Sequence, residues 1–277
     1  MAISDIFGKK EKKPLGLYIH IPFCRSKCEY CDFCSFVPNN SAVVEHYTDA
    51  LLLQMEDWRD KCRPYEIDTV YIGGGTPTYL DLPHIQRIIE GVWRNFKVKK
   101  SAEISMESNP ATVDLESLRR IRRLGVNRLS IGVQSAVPGE LKALGRTHSV
   151  TEAEAAFNDA RRAGFENINL DLMYGIPEQT IDSFMQSLSF AASRAPEHIS
   201  LYSLKIEDGT PFARRRESLP LPGEDAEYEM YMRAVDYLDA RGYKRYEISN
   251  FAKPGYESRH NLKYWHCDEY LGLGASA

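Results

Sequence analysis

The sequence predicts an α/β fold of six consecutive βα units, and three observations predict it. A β-rich apolar run followed by an amphipathic stretch recurs six times, and residues 15–206 hold the whole series. The β-rich runs are nearly continuous in apolar residues, as parallel strands covered by helices require. The chain has 277 residues, 43% of them apolar, enough to bury a large core. Periodicity alone leaves an open doubly wound sheet and a (β/α) barrel both standing, but in either one ligands bind at the carboxyl ends of the strands.

The elements follow in order. LGLYIHI (15–21) is the first strand and 42–62 the helix after it. TVYIGG (69–74) precedes a helix over 83–96, and EISME (103–107) one over 114–124. RLSIGVQ (128–134) leads to helical stretches at 137–144 and 152–163, the second opened by Thr151 and Glu154 as a T-x-x-E capping box. NINLDLMYG (167–175) leads to 181–194, and HISLYSLKI (198–206) is the sixth strand. The domain reading is a tail over 1–14, a core over 15–222 and a short α+β extension over 223–277. That extension comprises a helix at 224–241, a strand-like run YKRYEISNF (243–251) and the Gly-rich YLGLGASA, expected to carry no closing element and to begin an incomplete C-terminal region.

The net charge of −4 argues against a nucleic-acid partner. The basic run at 9–13 reads as a solvated tail. With no signal peptide and no apolar run near the roughly 18 residues of a membrane span, neither secretion nor stable membrane insertion is expected. The reading is cytoplasmic, and in that reducing compartment clustered cysteines point to metal or redox chemistry.

Four of the six cysteines, Cys24, Cys28, Cys31 and Cys34, lie within CRSKCEYCDFC, directly after the first strand. Gathered thiolates suit a soft metal centre. A four-cysteine zinc site separates two C-x2-C pairs by a longer loop, which this spacing lacks. Zinc and a chance cluster of thiols are the rivals to an iron–sulfur cluster, in which three thiolates leave one iron open. The other strand ends are polar or glycine-rich. Strand two ends in Gly73-Gly74-Gly75-Thr76-Pro77, where bare backbone lets a ligand come close; strands three, four and five bring Glu107, Gln134 and Asp171, and Arg146 stands in a loop beside them. Each alone could be a cap or a satisfied polar group. Together they read as the mouth of a site, because catalytic groups in such folds come from several strand ends.

C-x3-C-x2-C after the first strand, with Tyr30 before the third cysteine, resembles the radical SAM superfamily. YIHIPFC, GGGTPTYL, ESNP, RLSIGVQS, LGRTHS, DLMYGIP and SLYSLKIEDGTP, in this order, resemble its HemN/HemW group, the oxygen-independent coproporphyrinogen III oxidase relatives. The resemblance implies a radical SAM partial (β/α)6 barrel. It implies that Cys24, Cys28 and Cys31 hold a [4Fe–4S] cluster whose fourth iron binds S-adenosylmethionine. It also implies that Tyr18 and Tyr30 line the S-adenosylmethionine pocket and that Gly74, Gly75 and Thr76 contact its methionine end. Glu107, Gln134, Arg146 and Asp171 would hold it or a neighbouring ligand.

Two functions fit that group. One is a coproporphyrinogen oxidase that uses a 5′-deoxyadenosyl radical; the other is a haem chaperone that passes haem to haem proteins, and a homodimer is compatible with it. Three features favour the chaperone. The oxidases carry a cysteine two residues after the third ligand, where this chain has Phe33 and places Cys34 one residue later. RHNLKYW (259–265) resembles the H-N-x-x-Y-W motif linked to haem binding, which makes His260 the expected haem residue. The first strand also starts near the N-terminus, without the oxidases' extra segment. Cys34 reads as a small buried residue beside the cluster.

Overall fold

A computed structural model describes residues 12–277. Residues 1–11, which hold most of the expected tail, lie outside the described residues. The elements are β1 (Lys13–Ile21), α1 (Ser41–Arg59), β2 (Tyr65–Gly74), α2 (Leu82–Asn95), β3 (Val98–Ser108), α3 (Leu115–Arg123), β4 (Arg128–Gln134), α4 (Pro138–Ala143), α5 (Val150–Arg162), β5 (Ile168–Tyr174), α6 (Ile181–Ser193), β6 (His198–Ser203), α7 (Glu224–Asp239), β7 (Lys244–Arg245), β8 (Asn250–Ala252), α8 (Arg259–Trp265) and β9 (Tyr270–Leu273).

The nine strands of the described residues form one sheet in the order β7-β8-β6-β5-β4-β3-β2-β1-β9. The first six are parallel and stand in sequence order. A doubly wound sheet reverses its strand order at a switch point. No reversal occurs here, so the units wind in one direction as a partial barrel. It does not close: β9 pairs with the free side of β1, and the β7–β8 hairpin with that of β6.

Strand alternation divides the sheet into two faces. Leu15, Leu17, Ile19 and Ile21 of β1 are buried in the main apolar core under the helices. α2 meets this core with Ile85, Ile88, Ile89 and Val92, the spacing of one helical face. The other face carries polar groups into the lumen. There Asn169 donates to Ser130 and Asp171, and His198 bonds Asn169 Oδ1 at 2.6 Å.

Three differences from the sequence expectation stand out. The capping box of α5 is Ser149 with Glu152, not Thr151 with Glu154: Ser149 Oγ accepts from Glu152 N–H, and Glu152 accepts from Ser149 N–H at 2.7 Å. The run 243–251 is not one strand but turns within itself to pair β7 with β8. The Gly-rich end contains β9, a seventh strand parallel to β1.

The expected haem motif is itself a helix, α8, capped by the Ser258 side chain. It plugs the lumen towards the amino ends of the strands. Glu103 of β3 accepts the backbone N–H groups of Arg259 and His260, at 3.2 and 3.1 Å. Lys263 pairs with Asp68 at 3.0 Å, both largely buried.

Candidate metal and cofactor site

At the opposite end, the carboxyl ends of β1 to β6 surround a cavity of about 450 Å³. The cysteine loop forms one wall. Its base is tied by Cys24 N–H to Phe36 O at 3.0 Å and Phe36 N–H to Pro22 O at 2.8 Å. Lys27 Nζ braces it from within, donating to Phe33 O and Ser35 O, both at 3.0 Å. Cys24, Cys28 and Cys31 all line the cavity. Cys34 does not, and it is exposed rather than buried as expected; only its carbonyl is held, by His20 Nε2 at 2.8 Å.

Each of the three cavity thiols meets one polar side chain. Thr76 Oγ1 donates to Cys24 Sγ at 3.6 Å, Arg146 Nη1 donates to Cys28 Sγ at 3.8 Å, and Ser35 Oγ lies 4.0 Å from Cys31 Sγ. Burial pushes the Cys31 thiol up. Among the described residues no three His, Cys, Asp or Glu side chains converge on a single-ion site. Cys24, Cys28 and Cys31 are the cysteines that line the cavity, three soft donors of the kind an iron–sulfur cluster takes.

The strand-two turn explains its own glycines. Gly75 N–H bonds Ile21 O and Thr76 N–H bonds Phe23 O, both at 2.8 Å, so the turn lies directly against the start of the cysteine loop. A Cβ on Gly75 would stand 2.8 Å from Phe23 O and 3.0 Å from Cys24 Sγ. Gly74 has φ +114°, and a Cβ there would enter the His20 ring at 2.6 Å. The glycines therefore admit the cysteine loop and His20 while lining the cavity.

Glu107, one residue before the end of β3, has one oxygen accepting from Tyr71 Oη at 2.8 Å and the other from Gly74 N–H at 3.1 Å. Desolvation pushes its carboxyl up to about 7, against the pull of those two donors. Asp171, fixed by Ser130 and Asn169, is also raised by desolvation. Gln134 follows an irregularity in the β4–β5 register and has φ +66°, a left-handed conformation that costs a glutamine about 1 kcal/mol. Among the described residues its Oε1 is buried without a partner, as is Arg146 Nε. Strain and unmet hydrogen-bonding groups at a cavity wall are features of a ligand site. Carboxylates and an amide offer acceptors and donors for an ammonium, ribose hydroxyls and a nucleobase.

All the sequence-predicted residues line this cavity except Tyr18 and His260. Tyr18 lies one layer deeper, its hydroxyl 3.0 Å from His20 Nδ1 and its ring stacked on Tyr71 at 6.3 Å. His260 belongs to the α8 plug. It is fully buried, with Nδ1 bonded to Thr69 Oγ1 at 2.8 Å and Nε2 to Tyr264 Oη at 3.0 Å, and its ring stacks on Tyr71 at 5.4 Å. In this position neither nitrogen is free for iron. Burial pulls its pKa down to about 3. Tyr71, Tyr202 and Lys205 line the cavity without having been singled out from the sequence. Tyr71 was legible in principle: it stands two residues before Gly73, on the inward face of strand two.

Residues 18–191 match the family model described as the radical SAM superfamily. The heme chaperone HemW of Escherichia coli (strain K12) is 41% identical over 264 residues, covering 95% of this chain and 69% of the relative. The chain belongs to the radical SAM superfamily and, within it, to the HemW family. HemW of Bacillus subtilis (strain 168) is also 41% identical, over 263 residues and 69% of its length. Among solved structures, the coproporphyrinogen III oxidase HemN from Escherichia coli, a radical SAM enzyme, superposes with a TM-score of 0.86 at 29% identity. That match covers 96% of this chain and 64% of HemN, so this HemW-family chain spans less than two thirds of that structure.

Proposed function

We propose that the chain is a haem chaperone that carries a [4Fe–4S] cluster and S-adenosylmethionine at the barrel mouth and delivers haem to haem proteins. One observation carries the choice of chaperone over oxidase: the 41% identity to HemW across 95% of the chain, against 29% to HemN. Phe33, where the oxidases have cysteine, points the same way.

In this reading Cys24, Cys28 and Cys31 are the cluster ligands, and Cys34 is not. A cluster with one open iron binds S-adenosylmethionine and supplies the electron that such proteins use. Gly74, Gly75 and Glu107 receive its methionine end; Gln134 and Asp171 hold the remaining polar groups. Tyr30, on the cavity wall, excludes water beside the thiols. Tyr18 acts only through Tyr71 and Glu107. His260 can ligate haem iron only if α8 withdraws from the lumen, because both ring nitrogens are bonded there. The exposed rings of Tyr264 and Trp265 on α8 offer aromatic faces to a macrocycle without that movement. No helix among the described residues is long and apolar enough to cross a membrane, and a cytoplasmic protein acting as a homodimer belongs to the proposal, not to what is seen.

The test is anaerobic reconstitution followed by parallel assays of haem binding, read at the Soret band, and coproporphyrinogen decarboxylation. Haem binding without decarboxylation is expected. Efficient decarboxylation would overturn the chaperone reading in favour of the oxidase.

A further inference from the structure

We propose that Arg146, with smaller help from Thr76 and Ser35, sets the reduction potential of the cluster by donating to its ligand sulfurs. The inference rests on the proposed cluster at Cys24, Cys28 and Cys31. Its basis is the pairing of each cavity thiol with one polar group from a different part of the chain: Thr76 from the turn after β2, Arg146 from the segment after α4, and Ser35 from the cysteine loop itself.

The three partners are not equivalent. Thr76 and Ser35 are neutral hydroxyls. Arg146 brings a guanidinium that stays charged at any working pH. It is aimed at Cys28 by a second bond, Nη2 to Gly132 O at 2.8 Å, and by its place directly after Gly145, where the chain turns with φ +71° against Glu29. Among the described residues no carboxylate forms an ion pair with it, and its Nε is buried without a partner. Asp171 acts on it only through space, so no direct ion pair neutralises the guanidinium beside the sulfur.

Reduction adds one electron to the cluster and makes it more negative. A positive charge and N–H donors at a ligand sulfur favour that form, so they raise the potential. A neutral hydroxyl donor acts in the same direction with less force. The thiol of Cys34 meets no such donor among the described residues and serves as the control.

The experiment uses the full chain, reconstituted anaerobically without S-adenosylmethionine, as wild type and as Arg146→Met, Arg146→Lys, Thr76→Val and Cys34→Ser. Iron and sulfide content are measured first. Dithionite then supplies one electron per cluster, itself oxidised to sulfite, through mediators at poised potentials, and the reduced cluster is counted by electron paramagnetic resonance. At the wild-type midpoint, Arg146→Met should show a reduced-to-oxidised ratio about tenfold lower, ~59 mV for a one-electron couple. Arg146→Lys should keep most of the ratio, Thr76→Val should lose less than Arg146→Met, and Cys34→Ser should match wild type. Arg146→Met with full iron content and an unchanged ratio would overturn the proposal. If Arg146→Met fails to load, the other variants decide: a lowered ratio in Thr76→Val with a retained one in Arg146→Lys supports it, and an unchanged ratio in Thr76→Val overturns it. A wild-type chain that takes up no iron–sulfur cluster would instead defeat the proposed function, a failure seen in the iron content before any potential is read.

Discussion

The two ends of the barrel lumen are both polar, yet they are built in opposite ways. At the carboxyl mouth, Gln134 Oε1 and Arg146 Nε lack partners, Gln134 is strained, and Glu107 is held where desolvation disfavours its charge. At the α8 plug, both nitrogens of His260 are bonded, Glu103 takes two backbone N–H groups, and Lys263 is paired with Asp68. Buried polarity by itself does not mark a site. Unmet polar groups occur elsewhere too, Ser105 Oγ among them, but those of Gln134 and Arg146 are the ones that lie on residues lining the cavity.

The sharpest way to break this contrast is at the thiols. Alanine at Cys24, Cys28 or Cys31 should abolish the iron–sulfur absorption after anaerobic reconstitution, and Cys34→Ala should retain it. Loss in the Cys34 variant would place a fourth thiol in the site.

Next in size is the plug. His260→Ala removes a fully packed ring and two hydrogen bonds and should cost about 2–4 kcal/mol, read by urea melts. Its pH signature is distinctive. With a folded value near 3 and an unfolded value near 6.5, the unfolded chain takes up a proton that the folded chain refuses. This part of the stability is therefore whole above pH 6.5 and is lost as the pH falls towards 3. The difference between wild type and variant should shrink over that window; a constant difference would mean that His260 is not buried neutral.

Glu107 should behave with the opposite sign. Its folded value, about 7, lies above the ordinary carboxyl value of 4.5, so the folded chain keeps a proton that the unfolded chain has released. Stability is favoured below pH 4.5 and declines as the pH rises to 7, by at most about 3 kcal/mol. Glu107→Gln should flatten the melting temperature across that window. It should also weaken S-adenosylmethionine binding above pH 7, where the ionised carboxylate is available to an ammonium group. Smallest is Gln134→Gly. Relief of the left-handed backbone should leave stability unchanged or raised by up to about 1 kcal/mol, while calorimetry shows weaker S-adenosylmethionine binding. A clear loss of stability would make Gln134 a structural residue like those of the plug.

The mouth was legible because its signals are local. A cysteine spacing, a glycine run and polar residues at the ends of apolar strands can each be read within a few positions, and a βα fold brings strand ends together. The plug was not legible, for the same reason reversed. α8 has only seven residues, shows no apolar period, and buries His260 and Lys263 through partners on β2 nearly 200 positions earlier. Its likeness to a haem motif marks His260 as a ligand, and its packing shows both ring nitrogens bonded within the plug, which the sequence does not reveal. Tyr71 was overlooked because it lies inside a strand, yet it joins the two ends: it donates to Glu107 and stacks on His260. Gly74 and Gly75 line the cavity as their place predicts, and the sequence does not show that the cysteine loop and His20 also press on them.

The pairing of β9 with β1 also imposes an order on assembly. Gly16 meets Tyr270 and Ile19 meets Leu273, so one side of the first strand finds its partner about 250 residues later. The segment after β9 adds to this join: Ala275 N–H donates to Tyr47 Oη, which donates in turn to His20 O at the head of the cysteine loop. At ordinary rates of synthesis the edge of β1 stays open for roughly 10–50 s. Throughout that interval it presents unpaired backbone groups to any extended chain nearby. The strand that leads into the cysteine loop thus keeps one edge open until β9 is made, and whatever loads or guards the nascent mouth has that interval in which to do so.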